Sequence, residues 1–158
     1  MSDPVWRPKS LIRAIAIGIA ERGDQILVVC VPDDQGALKG CRPPGGGIEF
    51  METAADALAR EFREELDTAI EITAGPLVIE NRYHHHGAPG HEIVFVHRVL
   101  LADPALYQRD RIAIIEDSGQ ALTAEWIPLS RFRSGEIALF PASLVERLDI
   151  LFKTPPTP

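Results

Sequence analysis

The chain has 158 residues, of which 46% are hydrophobic and 25% are charged, and its formal net charge at pH 7 is -7. This composition is typical of a globular protein, and the length predicts a single domain over residues 1–158, with a core at about 11–152. The acidic charge argues against a nucleic-acid or membrane surface, because both need clustered Lys and Arg. Binding of an anionic ligand would therefore require a local source of positive charge, such as a bridging cation.

The first apolar run, residues 11–20, is too short to span a membrane and is interrupted by Arg13. No signal-peptide cleavage pattern follows it. Cys30 and Cys41 are too few for a disulfide framework and predict free thiols in a reducing cytoplasm, although one bridge between them stays open. We therefore expect a cytoplasmic protein without a membrane segment.

The first half of the chain predicts a hairpin, a glycine-rich loop and a helix. The stretch AIAIGIAERGDQILVVCV has two β-branched runs around a polar turn at residues 21–24, which is typical of a hairpin. The loop RPPGGGIEF then leads to a helix that Thr53 caps, with Asp56 completing an imperfect capping box. Helical spacing predicts a core-facing stripe of Ala55, Ala59, Phe62 and Leu66.

The second half predicts more strands and a closing helix. Strands are expected at residues 69–72, 76–83, 91–102 and 124–129, with a polar stretch at 103–123. Residues 143–152 have a serine cap and helical apolar spacing, and a flexible tail is expected at 153–158. This order predicts an α+β fold in which a mixed β-sheet is sandwiched between helices, an α/β/α arrangement.

The predicted helix carries Glu61, Glu64 and Glu65 on a face expected to be accessible. Residues three and four apart are neighbours on a helix, and each like-charge pair costs roughly 0.2–0.5 kcal/mol. The cluster is either a solvated surface, with Arg60 and Arg63 diluting the repulsion, or a hard-oxygen site for Mg²⁺ or Mn²⁺. The helix alone does not decide between these interpretations.

The loop before the helix favours the metal site. From residue 46 to residue 68 the sequence is GGIEFMETAADALAREFREELDT, which resembles the Nudix box, G-x5-E-x7-R-E-U-x-E-E-x-G-U, with U a bulky apolar residue. Phe62 matches, as do six polar or glycine positions: Gly46, Glu52, Arg60, Glu61, Glu64 and Glu65. At any one starting position of the motif, six such matches arise by chance roughly once in ten million.

Two positions depart from this pattern. Asp67 stands where the family has glycine, and Thr68 stands where it has an apolar residue. The glycine would allow a left-handed turn after the helix, a conformation that aspartate tolerates better than most residues. We expect the turn to survive.

The resemblance, which covers about residues 11–152, implies the Nudix fold and a hydrolase of nucleoside diphosphates linked to another group, working with Mg²⁺ or Mn²⁺. It implies that Glu61, Glu64 and Glu65 bind the metal, with Glu65 the most sensitive to loss, and that the Gly45 carbonyl is a further ligand. Arg60 is expected to orient a glutamate. Glu52 is expected to support the loop.

The family often places a further acidic residue outside the box, as a water-activating base or extra metal ligand. Glu116 is our first choice by position, and Glu92, Asp117 and Glu125 remain open. Expected substrate-binding residues are Gly46, Gly47, Tyr83 and Glu92. Tyr83 and Trp126 could each stack on a base or sugar, and core packing is an equal alternative for both. The run His84–His86 predicts a hairpin tip near the substrate rather than a metal site, because three successive residues of a strand cannot face one ion.

Three functions compete at this stage. The first is a pyrophosphohydrolase acting on a nucleoside triphosphate, ADP-ribose, a nucleotide sugar or a dinucleoside polyphosphate. The second is a nucleotide-sensing or protein-interaction module that has lost catalysis. The third is an RNA-cap or polyphosphate enzyme, which no Lys/Arg cluster in the sequence supports. The expected partner is a small nucleotide, without nucleic acid or membrane, and a homodimer would be compatible with the family.

Overall fold

The strand β1, Ile12–Ile19, lies inside the first of two sheets. In the computed structural model, which describes residues 7–33, 35–116 and 118–153, this sheet has the order β5-β1-β7-β6. The other strands are β5 (Gly45–Gly47), β6 (Ile70–His85) and β7 (Ala88–Leu101). β1 runs parallel to β7 and antiparallel to β5, so the sheet is mixed, as predicted.

The second sheet is antiparallel and has the order β2-β3-β9-β8, with β4 also paired to β3. Its strands are β2 (Glu21–Arg22), β3 (Gln25–Pro32), β4 (Leu38–Arg42), β8 (Arg111–Ile115) and β9 (Ala121–Pro128). The predicted hairpin is only partly present, because β2 pairs with β3 while β1 belongs to the other sheet. The two apolar runs of the predicted hairpin form most of β1 and β3, and both are buried on both faces of their sheets. Burial on both faces is expected of central strands in two sheets rather than of a single hairpin.

Helices cover the strands on two sides. α1 (Ala54–Leu66) packs into an apolar cluster with residues of both sheets, including Leu27, Val99 and Ile114. α2 (Leu129–Arg133) and α3 (Leu144–Phe152) pack into a second cluster on the opposite face of β1. The α+β class with helices on both sides is therefore confirmed. α3 begins at Leu144, directly after Ser143, and so lies close to the predicted closing helix at residues 143–152.

The buried face of α1 differs from the predicted stripe. Phe62 and Leu66 are buried as expected, but Ala55 and Ala59 are exposed, and Ala57 and Leu58 are buried instead. Leucine and phenylalanine remove far more apolar surface from water than alanine, so the large side chains set the rotation of the helix. Glu61 shares this buried face and is only 5% exposed, which corrects the prediction that it lies on an accessible face.

Both ends of α1 are capped. Thr53 Oγ1 accepts a hydrogen bond from the Asp56 backbone N–H at 3.1 Å, which confirms the predicted N-cap. Asp67 adopts the left-handed conformation, with φ 51° and ψ 42°, so the turn survives without glycine. Thr68 is buried, and its hydroxyl donates to the Ala69 carbonyl and accepts from the Asp103 N–H. A polar residue is therefore satisfied where the pattern expects an apolar one.

Two further strand predictions are refined. Residues 69–72 and 76–83 belong to one long strand, β6, whose register with β7 shifts between Ile72 and Leu77. The polar stretch 103–123 contains a short 3-10 helix, Pro104–Gln108, and the unpredicted strand β8. Across the three described ranges, no helix has the length and hydropathy needed to cross a membrane.

Candidate active site

The glycine strand β5 forms the edge of the first sheet, next to α1. Gly45 has φ 147°, and a Cβ there would overlap the Ala16 carbonyl oxygen of β1. A Cβ on Gly46 would overlap the Glu61 carboxylate, whereas a Cβ on Gly47 would make ordinary contact, 3.5 Å from Arg13 Nη2. Because successive residues of a strand face opposite sides, the glycines allow Glu61 to approach one side of the edge and Arg13 the other.

Hydrogen bonds from Arg60 connect α1 to the glycine loop. Its Nε and Nη2 donate to the two carboxylate oxygens of Glu52, each at 2.8 Å, and Nη2 also donates to the Gly47 carbonyl at 2.9 Å. Nη1 donates to Glu61 Oε1 at 3.0 Å and to Glu64 Oε2 at 3.5 Å. The hydrogen bonds from Arg60 lower the pKa of Glu52 from 4.5 to about 2, and those to Glu52 raise the pKa of Arg60.

The three glutamates of α1 have different environments. Glu61 is buried beside Gly46, Glu65 one turn later is half-buried, and the side chain of Glu64 is 46% exposed. Glu61 and Glu64 each place one carboxylate oxygen within reach of the same guanidinium nitrogen of Arg60. In this structure the like-charge repulsion within the cluster is therefore offset by the half-buried guanidinium of Arg60.

The carboxylates suit a hard divalent ion chemically. Within the described part of the chain, no three His, Cys, Asp or Glu side chains are close enough together to hold a metal ion. The oxygens of Glu61 and Glu64 nevertheless converge on one positive charge, and the missing side chain of Gly46 leaves room for the Glu61 carboxylate. Carboxylate oxygens are the ligands that Mg²⁺ and Mn²⁺ prefer, so the donor set fits the predicted ion.

An open pocket of about 430 Å³ adjoins these groups, and its walls include Arg13, Gly47, Arg60 and Glu61. The sequence analysis did not propose Arg13 as a site residue. The available signal was a cation that interrupts an apolar run. In the structure, Arg13 aligns with Glu92 of β7. The pocket therefore combines two guanidinium groups with one carboxylate of the predicted metal site.

Tyr83 and Glu92 lie together on the hairpin of β6 and β7. The Tyr83 hydroxyl donates to Glu92 Oε1 at 3.1 Å, and Asn81 Nδ2 donates to Glu92 Oε2 at 3.5 Å. Burial, followed by the charge of Glu92, raises the pKa of Tyr83 to about 12, against the opposing charges of Arg13 and Arg42. Arg13 on the first sheet and Arg42 on the second therefore both lie near this tyrosine.

The acidic candidates outside the box lie in separate ion pairs. Glu116, just after β8, binds Arg42 of β4, and neither side chain is fully buried. Glu125 on β9 pairs with Arg111 at 2.9 Å. Neither pair includes a glutamate of α1, and Asp117 lies outside the described residues.

The histidine run lies at the turn between β6 and β7, as predicted. His85 is 3.0 Å from Lys39 Nζ, and burial together with the charges of Lys39 and Arg42 lowers its pKa. Trp126 is buried, donates to the Leu106 carbonyl and stacks on Tyr107. Of the two interpretations of Trp126, core packing is therefore the one observed.

Comparisons with known proteins identify the family and its fold. The sequence model of the NUDIX domain matches residues 10–148. The E. coli ORF135 protein has a similar structure (TM-score 0.58, 23% identity, 93% of this chain and 95% of that chain covered). A NUDIX hydrolase from Nitrosomonas europaea gives a TM-score of 0.57 at 19% identity, with 90% and 88% coverage. The C. elegans Ap4A hydrolase gives 0.53 at 15% identity, with 90% and 99% coverage.

A comparison with curated proteins gave no match. The structural likenesses lie below 25% identity and establish the fold, while the domain match extends over most of the chain and includes the glycine loop, α1 and α2. Together with the edge glycines and the glutamates gathered around Arg60, these findings show that the chain belongs to the Nudix family and is a Nudix-type pyrophosphohydrolase.

Proposed function

We propose that this protein hydrolyses the pyrophosphate bond of a nucleoside diphosphate linked to another group, in a reaction that depends on Mg²⁺ or Mn²⁺. The observation that carries the proposal is the convergence of Glu61, Glu64 and the glycine loop on Arg60, beside an open pocket. Residues 11–152 would act as one domain. The predicted cytoplasmic location remains part of the proposal, and the oligomeric state stays open, with a homodimer compatible with the family.

Glu61, Glu64, Glu65 and the Gly45 carbonyl would hold the metal. A bound divalent ion would neutralise anionic phosphate oxygens and absorb charge that develops in the transition state. Arg60 would position the glutamates, since it already binds two of them and is itself fixed by Glu52 and Gly47. Glu52 would therefore support the loop without taking part in the chemistry.

The pocket and its surroundings would bind the substrate. Arg13 borders the pocket and would contact a phosphate group, because a guanidinium pairs well with phosphate oxygens. Gly46 and Gly47 would let the backbone approach the substrate closely. Tyr83 and Glu92 would contact the nucleoside, one through its ring and the other through its carboxylate.

Glu116 remains our proposed water-activating base, and its partner Arg42 would keep the carboxylate in place. Glu92, Asp117 and Glu125 are the alternatives. The substrate class stays open among nucleoside triphosphates, ADP-ribose, nucleotide sugars and dinucleoside polyphosphates. The C. elegans neighbour is named an Ap4A hydrolase, which supports including dinucleoside polyphosphates in the first assay.

The test is a chromatographic product assay with Mg²⁺ or Mn²⁺ on those four substrate classes and on 8-oxo nucleoside triphosphates. We expect one class to give a nucleoside monophosphate and a second phosphorylated product. Glu65→Gln should lower kcat by orders of magnitude without unfolding the protein. Glu146→Gln, a change of the same kind on the exposed face of α3, serves as the matched control.

Near-normal turnover in Glu65→Gln would contradict the proposal. Nucleotide binding without product under every metal condition would favour the sensing module instead. Hydrolysis of capped RNA or polyphosphate, with none of the small nucleotides cleaved, would favour the third function.

A further inference from the structure

The two cysteines of the chain face each other across the second sheet. Cys30 on β3 and Cys41 on β4 are direct partners in the antiparallel register, and their Sγ atoms are 3.1 Å apart. Both are free thiols in this structure. A cross-strand pair this close needs only a small change in the side chains to form a bond.

The backbone around Cys41 has the geometry that a cross-strand disulfide requires. Its N–H donates to the Ala138 carbonyl and its carbonyl accepts from the Phe140 N–H, both at 2.8 Å. Because both groups of Cys41 point away from β3, Cys30 and Cys41 form a non-hydrogen-bonded pair, in which the Cα atoms lie about 4.5 Å apart. Disulfides usually join Cα atoms that are roughly 4.4–6.8 Å apart, so the strands need not move.

The two thiols differ in access to solvent. Cys41 is completely buried, whereas Cys30 is half-buried and its Sγ lies 3.9 Å from Glu125 Oε2. A reagent therefore reaches Cys30 first. Burial raises the pKa of both thiols, so the reactive thiolate is scarce at neutral pH and the reaction should be slow there.

We propose that Cys30 and Cys41 form a dithiol modification site, which a small disulfide such as oxidised glutathione converts into a cross-strand disulfide. The Cys30 thiolate attacks one sulfur of oxidised glutathione, the S–S bond of the reagent breaks, and one glutathione thiolate leaves. The Cys41 thiolate then attacks Cys30 Sγ in the mixed disulfide and expels the second glutathione. Two protein thiols are oxidised, one reagent disulfide is reduced, and the two protons end on the two glutathione thiols.

The site lies next to a charged contact at the ends of two strands of the second sheet. Arg42, which directly follows Cys41 on β4, binds Glu116 beyond β8. The bond would join β3 and β4 covalently at this point. The modification is a property of the thiol pair and does not depend on whether the proposed hydrolysis is correct.

The experiment treats the folded full-length protein with oxidised glutathione at pH 8.5, followed by acid quenching, alkylation and mass spectrometry. We expect the protein to lose the mass of two hydrogen atoms and to retain no glutathione. Trypsin digestion should then give one linked species of residues 23–39 and 40–60, because the bond between Arg42 and Pro43 resists trypsin. Reduction should separate the two peptides.

Two variants test the order of the steps. Cys41→Ser should stop at a glutathione adduct on Cys30, and Cys30→Ser should stay unmodified while folded. A urea-unfolded sample of the wild type provides the positive control for detecting the linked peptides. The proposal is overturned if the folded wild type accumulates the glutathione adduct, stays unmodified, or gives linked peptides only after unfolding.

Discussion

Arg60 and Glu52 form a two-point ion pair, in which Nε and Nη2 of the guanidinium each lie 2.8 Å from a different carboxylate oxygen. This paired geometry fixes the plane of the guanidinium as well as its position. The remaining nitrogen, Nη1, therefore points at Glu61 and Glu64. Arg60, held in place by Glu52, thus orients two glutamates that are predicted to bind metal.

We predict that Arg60→Lys retains the fold but weakens catalysis, because an ammonium group cannot bind Glu52 at two points while contacting Glu61 and Glu64. Loss of a residue that orients metal ligands typically costs about 10- to 100-fold in metal affinity or activity. The measurement is kcat against Mg²⁺ concentration, where the half-saturating concentration should rise. Arg63→Lys, at an exposed position of the same helix, is the control. An unchanged Mg²⁺ dependence in Arg60→Lys would show that Arg60 has no positioning role.

The Arg60–Glu52 pair also predicts a pH dependence of stability. The pKa of Glu52 is lowered from 4.5 to about 2, so the native state favours the ionised form more than the unfolded state does. This contribution is fully present above pH 4.5 and is lost as the pH falls from 4.5 towards 2. Urea unfolding of wild type and Glu52→Gln should show a difference in stability that is constant from pH 7 to 5 and shrinks below pH 4.5. A difference that stays constant down to pH 2.5 would rule out this linkage.

Gly46→Ala should impair activity much more than Gly47→Ala. A Cβ at position 46 overlaps the Glu61 carboxylate, whereas at position 47 the new atom would be in ordinary contact with Arg13. A displacement of about 1 Å in a catalytic group can cost 100-fold in rate, so we expect a loss of about that size in kcat/KM for Gly46→Ala. Circular dichroism and kcat/KM of the two variants provide the comparison. Equal losses would mean that the contact with Glu61 is unimportant.

The residues of the box could be predicted from the sequence because their spacing is tied to one loop and one helix. Arg60, Glu61 and Glu64 are close in sequence, so helix geometry alone brings them together. The burial of Glu61 could not be predicted in this way, because it depends on how far Leu58 and Phe62 rotate the helix towards the sheets. The role of Gly46 in leaving room for that carboxylate is likewise visible only once the strand edge and the helix are packed together.

The remaining site contacts depend on tertiary structure. Arg13 reaches the pocket because β1 pairs with the glycine strand β5, a pairing between residues more than 25 positions apart. Local patterns contain no information about such partners, which also explains why the sequence predicts a hairpin of β1 and β3 that the structure does not show. The sequence does not predict the strand β8, because its short apolar alternation lies inside a polar stretch. The fold class itself was predictable, because strands followed by one helix, further strands and a closing helix favour an α+β domain. The division of the strands into two sheets depends on tertiary pairing.

Arg13→Gln should raise KM while changing kcat less, because Arg13 borders the pocket and is proposed to bind a substrate phosphate. Loss of a hydrogen bond to a charged group costs about 1.5–3 kcal/mol, so KM should rise roughly 10- to 100-fold. Steady-state kinetics on the best substrate measures both constants. Arg82→Gln removes the same charge from an exposed position of β6 and should have little effect. A normal KM in Arg13→Gln would exclude a phosphate contact.

Glu116→Gln distinguishes a base from a residue that only positions Arg42. A general base contributes about 10²- to 10⁴-fold, so kcat should fall by that amount, and the acidic limb of the pH profile of kcat/KM should disappear. If Glu116 acts only through the ion pair with Arg42, Arg42→Gln should reproduce the whole effect and the acidic limb should persist in both variants. Glu125→Gln tests the alternative carboxylate, which pairs with Arg111. An unaltered profile in Glu116→Gln, together with a lost acidic limb in Glu125→Gln, would assign the base to Glu125 and contradict our choice.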